Sequence, residues 1–277
     1  MIGPRTTPWR RADVGAANVF AAMPHNRSEA ATVDLRRALL GVRVDDEAAW
    51  SAARKALLSG ADANVSPDDV VGYGRTVLMY AARSGRLEVL HLALACGAEV
   101  DRLDQGGLSM GWMGWTALMR AAQGNHPDVI TALIEHGANP NRCGQSGVSA
   151  LMHAAIAGSE EALIRLLAHG AQPNLLSRDG WTALMHAARG GLRAPAIEAL
   201  LAAGADPLLP SADAVVRALD VAGDLDALDC VLAHAGQVTT RTRVLAALAP
   251  GVARRLFPRC VTAHEMARSV RGWRRAS

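Results

Sequence analysis

Two histidines are the first residues whose types and spacing could do chemistry. His153 and His186 stand 33 positions apart, each within the same five residues, Leu-Met-His-Ala-Ala. Imidazoles bind transition metals or transfer protons, but a metal site needs further ligands and acid–base work needs a group that orients the ring. Neither a carboxylate nor a third ligand recurs at the equivalent positions of the chain. We therefore predict no metal site and no catalytic residue.

The cysteines also lack a chemical pattern. They stand 47, 87 and 30 positions apart, without a CxxC or a paired Cys/His spacing: Cys96, Cys143, Cys230 and Cys260. That density is far below the density of a disulfide-stapled secreted domain. We expect reduced, mostly buried thiols in a cytoplasm, and neither zinc nor another cofactor.

The N-terminal segment has a loose likeness to a signal peptide. Arg10 and Arg11 precede an apolar stretch over residues 14–23, but Asp13 and Asn18 interrupt it. We expect an unstructured arm over residues 1–27. Elsewhere no apolar run approaches the roughly 20 residues that a membrane-spanning helix needs.

The elements that must position these residues are thin helical layers. Half of the 277 residues are hydrophobic and only 4% are aromatic, with alanine prominent. Small side chains suit a stack of closely packed helices better than one thick core. The chain has no phosphate-binding loop, nucleophile elbow or metal constellation, so we predict a non-catalytic protein.

Two sequence markers repeat in fixed phase along the chain. The first begins at positions separated by 40, 33 and 33 residues, over 76–82, 116–122, 149–155 and 182–188. The second is a Gly-Ala turn that follows each copy, at residues 97–101, 137–141, 170–174 and 204–207, with an earlier copy at 60–64. Such self-similarity indicates a repeat architecture.

Each marker has a physical role in a helix pair. Its first residue, Thr or Ser, is a predicted N-cap, and the following Ala-Ala pair lets the next helix approach closely. The glycine of the second marker ends the second helix in a left-handed conformation. One such unit cannot bury its own apolar face, so the units must stack.

The phrase Asp179-Gly-Trp-Thr-Ala-Leu-Met-His-Ala-Ala188, followed by Gly204-Ala-Asp, resembles the ankyrin repeat, and specifically the bacterial type. The resemblance covers about residues 47–236 and implies an all-α solenoid of about five to six helix-turn-helix repeats. It departs from the family where a histidine usually follows the leucine, because methionine stands there: Met79, Met119, Met152 and Met185. The hydrogen-bond network of the turn is therefore expected to be weaker or rearranged.

The chain divides into five predicted segments. An arm (1–27) precedes a degenerate N-terminal capping repeat (28–66) and the ankyrin repeats (67–209). A degenerate repeat (210–236) and a basic helical cap or tail (237–277) follow.

The resemblance implies that the projecting turns and the first helices line a concave, partner-binding groove. The residues at its contact positions are Arg75, Trp115, Val148 and Trp181 on turns, and Tyr80, Arg120, His153, His186, Arg83, Gln123, Ile156 and Arg189 on helices. None is acidic, and Trp and Arg dominate binding hot spots, so we expect a partner protein with an acidic surface. Because a turn tip offers little room for burial, we expect Trp115 and Trp181 to bind; stapling of adjacent turns is the alternative.

One turn is longer than its equivalents. Asp101 to Thr116 spans 15 positions, whereas the two following turns span 8. The insertion is glycine-rich and apolar, and three of its residues are predicted partner contacts: Leu108, Met110 and Trp112. Folding back over a neighbouring turn is the alternative.

Charge is unevenly distributed along the chain. Residues 47–236 carry a net charge of −7 and residues 237–277 a net charge of +8. The basic tail could attach to nucleic acid or an anionic membrane, but a cap that docks on the aspartates of the preceding segment is favoured. We expect a cytoplasmic monomer that acts as a scaffold, either as a neutralising or regulatory partner or, alternatively, as a translocated effector.

Overall fold

A computed structural model describes residues 28–40, 46–67, 74–105, 114–189, 194–206 and 209. These residues form helices joined by turns, and the β-structure among them is limited to one isolated bridge between Cys143 and Ser149. The predicted all-α repeat solenoid is thus confirmed. The arm, the degenerate repeat after residue 209 and the basic tail lie outside the described residues.

The described helices form five consecutive pairs. The first helices are α1 (Glu29–Leu39), α3 (Val77–Ser84), α5 (Ala117–Gln123), α7 (Ala150–Ala157) and α9 (Ala183–Arg189). The second helices are α2 (Glu47–Leu58), α4 (Leu87–Ala95), α6 (Pro127–Glu135), α8 (Glu160–Ala168) and α10 (Ala194–Ala202). From α3 onward each first helix packs on the next first helix, and from α2 onward each second helix packs on the next second helix. None of these helices has the length and apolarity of a membrane span.

The N-caps predicted from the first marker form in three of four repeats. The side chains of Thr116, Ser149 and Thr182 accept hydrogen bonds from the backbone three residues on, at 3.3–3.4 Å. Thr76 begins α3 without such a bond. A side-chain oxygen therefore satisfies one of the otherwise unpaired N–H groups at the start of α5, α7 and α9.

The rearranged turn network expected from the methionines is visible in α5. The sulfur of Met119 accepts the backbone N–H of Thr116 at 3.4 Å, which closes a reciprocal capping box. Sulfur is a weak acceptor, so this bond replaces a polar side chain only in part. All four methionines are buried, so they contribute chiefly to the core between repeats.

The glycines of the second marker are left-handed, as predicted. Their φ angles lie between 82° and 91° at Gly60, Gly97, Gly137, Gly170 and Gly204. A Cβ added at Gly97 or Gly137 would meet no neighbouring atom. Glycine is thus required at these turns by the backbone conformation and not by crowding.

A side chain joins each of these turns to the next, and in three of the four cases it is an amide. Asn64, Asn141 and Asn174 each donate to the carbonyl of the marker glycine one repeat on and accept from the N–H two residues after it, at 2.7–3.3 Å. Asp101 occupies the equivalent position and only accepts, from the backbone of Asn139. The chain of bonds fixes the register of one repeat on the next.

Replacement of a core leucine tests the stack. Leu184 is 1% exposed between repeats, so we expect Leu184→Ala to lower the free energy of unfolding by about 2–5 kcal/mol through lost burial and a cavity. Urea denaturation followed by circular dichroism measures this. The control is Leu176→Ala, which truncates a leucine that is 45% exposed and should change stability little. Equal losses in the two variants would contradict this assignment of the core.

Candidate partner-binding face

The structure distributes the predicted contact residues over three environments. Arg83 and Arg189 are exposed, and the following are half-buried: Arg75, Tyr80, Trp181 and His186. Trp115, Arg120 and His153 are buried. Leu108, Met110 and Trp112 lie outside the described residues. We call the surface formed by α3, α5, α7 and α9 with the turns that precede them the first-helix face.

A buried carboxylate that sequence reasoning missed organises one end of this face. Oδ1 of Asp104 accepts the backbone N–H groups of Gly114 and Trp115 at 3.1 and 2.8 Å, and Oδ2 accepts a hydrogen bond from the Arg120 guanidinium. The N–H of Asp104 donates to the carbonyl of Trp115 at 3.0 Å, which closes the base of the long turn. Nε of Arg75 lies 4.0 Å from Oδ2. Asp104 thereby links the two ends of the long turn to each other and to Arg120 on α5.

The same closure recurs in the shorter turns, and this is the signal that could have found Asp104. The backbone pairs Gly144–Val148 and Ser177–Trp181 make the equivalent bond at 3.0 and 2.9 Å. Asp104, Gly144 and Ser177 each stand seven residues after a marker glycine. The position is therefore fixed by the repeat, and only Asp104 fills it with a charge.

Trp115 is buried against the following repeat. Its ring lies 4.0 Å, centroid to centroid, from the ring of His153, and the Arg120 guanidinium carbon lies 4.2 Å from its centroid. Only 7% of Trp115 is exposed. The expectation that a turn tip leaves this tryptophan accessible is wrong, because the imidazole of His153 on the next first helix packs against the indole.

Burial keeps His153 neutral. Desolvation, and then the positive charge of Arg120, lower the pKa of His153 to about 3, with a smaller contribution from His186. Desolvation and Arg189 lower the pKa of His186 to about 4, although Asp179 opposes this. At neutral pH the two imidazoles are uncharged parts of the face. No group of three or more metal-ligating side chains occurs among the described residues.

Trp181 repeats the arrangement in a more open form. Its ring lies 5.1 Å from the ring of His186 in its own repeat, and the guanidinium carbon of Arg189 lies 5.4 Å from the Trp181 centroid. Its backbone N–H donates to the hydroxyl of Ser177 at 3.1 Å. Trp181 is held by its own turn and helix, yet it remains half-exposed.

The residue that follows each Ala-Ala pair is accessible. All four are exposed, one per repeat: Arg83, Gln123, Ile156 and Arg189. The four first helices that carry them contain no acidic residue. The first helices therefore carry an accessible row of two cations, an amide and an aliphatic side chain, beside the exposed turn residues Gln145, Arg178 and Asp179.

The buried His153 makes stability depend on pH. Its pKa is about 3 in the folded protein against about 6.5 when unfolded, so the unfolded chain binds the extra proton between these values. The contribution of His153 to the free energy of unfolding is therefore complete above pH 6.5 and is lost as the pH falls towards 3. Between pH 7 and pH 5 we expect the free energy of unfolding of the wild type to fall by about 2 kcal/mol more than that of His153→Gln. Urea unfolding at both pH values measures the difference, and equal pH dependence would contradict it.

Comparisons with known proteins agree with this architecture. A family model described as ankyrin repeats (3 copies) matches residues 47–143 and 139–210. An ankyrin repeat and KH domain-containing protein of Caenorhabditis briggsae is 37% identical over 79 residues, which is 28% of this chain. The alignment spans 3% of the length of that relative. Ankyrin repeats generally mediate protein–protein interactions and are typically non-catalytic. The chain belongs to the ankyrin repeat family.

Proposed function

We propose that this protein binds an acidic surface of a partner protein on its first-helix face, without catalysing a reaction. One observation carries the proposal: the accessible row of the face presents Arg83 and Arg189 and no carboxylate. The half-exposed Trp181 lies beside Arg189. Trp and Arg together bury large areas and direct hydrogen bonds, as binding hot spots do.

The buried ion pair of Asp104 and Arg120 supports a positive charge on this surface. The charge of Asp104 is used by the buried Arg120 and by Arg75, and the Asp104 side chain is only 1% exposed. It therefore does not compensate the exposed arginines at the surface. The exposed Asp179, near His186, is the carboxylate that an acidic partner would have to avoid.

The opposite side of the stack has the opposite sign. Acidic residues outnumber basic ones on the second helices α4, α6, α8 and α10, several of them in the first turn: Glu88, Asp128, Glu160 and Glu161. Their position is favourable because a helix N-terminus carries partial positive charge. An acidic partner is thus attracted to the first-helix face and repelled by the back.

The cellular setting is part of the same proposal. We propose a monomeric scaffold in the cytoplasm, where the free thiols of Cys96 and Cys143 would remain reduced. Neutralisation or regulation of an intracellular partner, or engagement of host proteins by a translocated bacterial effector, both need only this binding face. The predicted contacts Leu108, Met110 and Trp112 would extend it.

The two tryptophans provide a matched test. A partner captured from the native cell should bind Trp181→Ala more weakly by about 2 kcal/mol, or about thirtyfold, because the half-exposed ring is lost from the surface. Isothermal titration measures this affinity, and thermal unfolding should change little. Trp115→Ala is the control and should lower stability by about 3–5 kcal/mol, because its ring is buried. If Trp181→Ala lowers the melting temperature and leaves affinity intact, Trp181 is a staple and the proposal fails.

The charge of +8 on residues 237–277 favours a second candidate function, attachment to nucleic acid or an anionic membrane. Deletion of residues 259–277 separates this from a capping role. We expect a cap, so the deletion should lower the melting temperature by exposing the apolar end of the stack. Unchanged melting, with loss of a steeply salt-dependent binding to DNA or anionic vesicles, would instead establish the attachment function.

A further inference from the structure

The exposed row has a definite order of chemistry. Along the stack it presents a cation at Arg83, an amide at Gln123, an aliphatic side chain at Ile156 and a cation at Arg189. Ile156 is 39% exposed, although the residues at the equivalent positions are polar. The fold therefore does not require an apolar side chain there.

The two arginines at the ends of the row have different surroundings. The guanidinium of Arg189 lies over the ring of Trp181. At the other end, burial lowers the pKa of Arg120, and the positive charges of Arg75 and Arg83 lower it further, while Asp104 raises it. Arg75 and Arg120 both lie at the Asp104 carboxylate, and the charge of Arg83 adds to theirs, so a carboxylate that binds at Arg83 would reduce the repulsion among these cations.

We infer that the row binds an extended acidic segment of the partner, with one carboxylate at Arg83, one at Arg189 and an apolar side chain on Ile156 between them. This inference rests on the proposed function and specifies the ligand of the same face. The order of charges and the exposed isoleucine between them carry it. A purely acidic segment would leave Ile156 covered by polar atoms, with no gain from burial.

Helix packing sets the length of that segment. Neighbouring helices pack about 8–10 Å apart, so three steps from α3 to α9 span about 24–30 Å. An extended chain rises about 3.3 Å per residue, so about nine residues reach from one arginine to the other. Alternate side chains of an extended segment point to one side. The apolar residue then falls at about the third or the seventh position, depending on chain direction.

Synthetic peptides of about nine residues test this on the full-length protein. Each has glutamate at both ends and serine elsewhere, with leucine or serine at the third or seventh position. Fluorescence anisotropy at low salt measures their dissociation constants. We expect one leucine peptide to bind at least about tenfold more tightly than its serine counterpart, and lysine-ended peptides not to bind.

Matched variants test whether the tighter binding of the leucine peptide comes from the exposed row. Ile156→Ser should remove the advantage of leucine, whereas Ile164→Ser, which changes an isoleucine of similar exposure on α8, should retain it. Arg83→Gln and Arg189→Gln should weaken every glutamate peptide. Arg165→Gln, on the back of the stack, should not.

The outcomes separate this inference from the proposed function. Equal binding of leucine and serine peptides, or an advantage of leucine that survives Ile156→Ser, overturns the inference and leaves an acidic partner in place. If no glutamate peptide binds while Trp181→Ala still weakens the captured partner, the inference is again overturned alone. If lysine-ended peptides bind better than glutamate-ended ones, both the inference and the acidic partner are overturned.

Discussion

The close approach of neighbouring first helices is the constraint on which the structure depends. It is made by the Ala-Ala pair of each repeat, and all eight of these alanines are at most 2% exposed: Ala81, Ala82, Ala121, Ala122, Ala154, Ala155, Ala187 and Ala188. A larger side chain at these positions would overpack the interface between helices. The residue after each pair lies one step further round the helix and is exposed. The exposed row is thus a direct result of how the core is packed.

A second constraint operates where the long turn leaves the stack. Asp104 is a buried charge, and burying a charge is costly unless it is paired and hydrogen-bonded. Two backbone N–H groups and Arg120 meet that requirement. The backbone N–H of Asp104 closes the base of a turn with seven extra residues in the same way that Gly144 and Ser177 close the shorter turns, and the carboxylate adds bonds to the N–H groups of Gly114 and Trp115. Its charge is balanced inside the protein by Arg120, so the exposed arginines determine the sign of the surface charge.

The sequence predicted what depends on local periodicity. The helix pairs, the N-caps at Thr116, Ser149 and Thr182 and the left-handed marker glycines follow from residue types at fixed spacing, because each is formed within a few residues. What it did not predict depends on contacts between repeats. Trp115 is buried by His153, which is 38 positions away. The distinction between the accessible and the buried residues of the first-helix face required the neighbouring repeat.

The two tryptophans show why this distinction matters for function. Trp115 and Trp181 occupy the same position of the repeat, each two residues before a buried alanine, and each has a histidine and an arginine around its ring. They differ in where the histidine comes from. His153 belongs to the repeat after Trp115 and covers it, whereas His186 belongs to the repeat of Trp181 and lies beside it. Trp115 is thus buried by the first helix of the next repeat, whereas the segment one repeat after Trp181 lies outside the described residues. The same residue type at the same position of the repeat is therefore buried at Trp115 and partly accessible at Trp181.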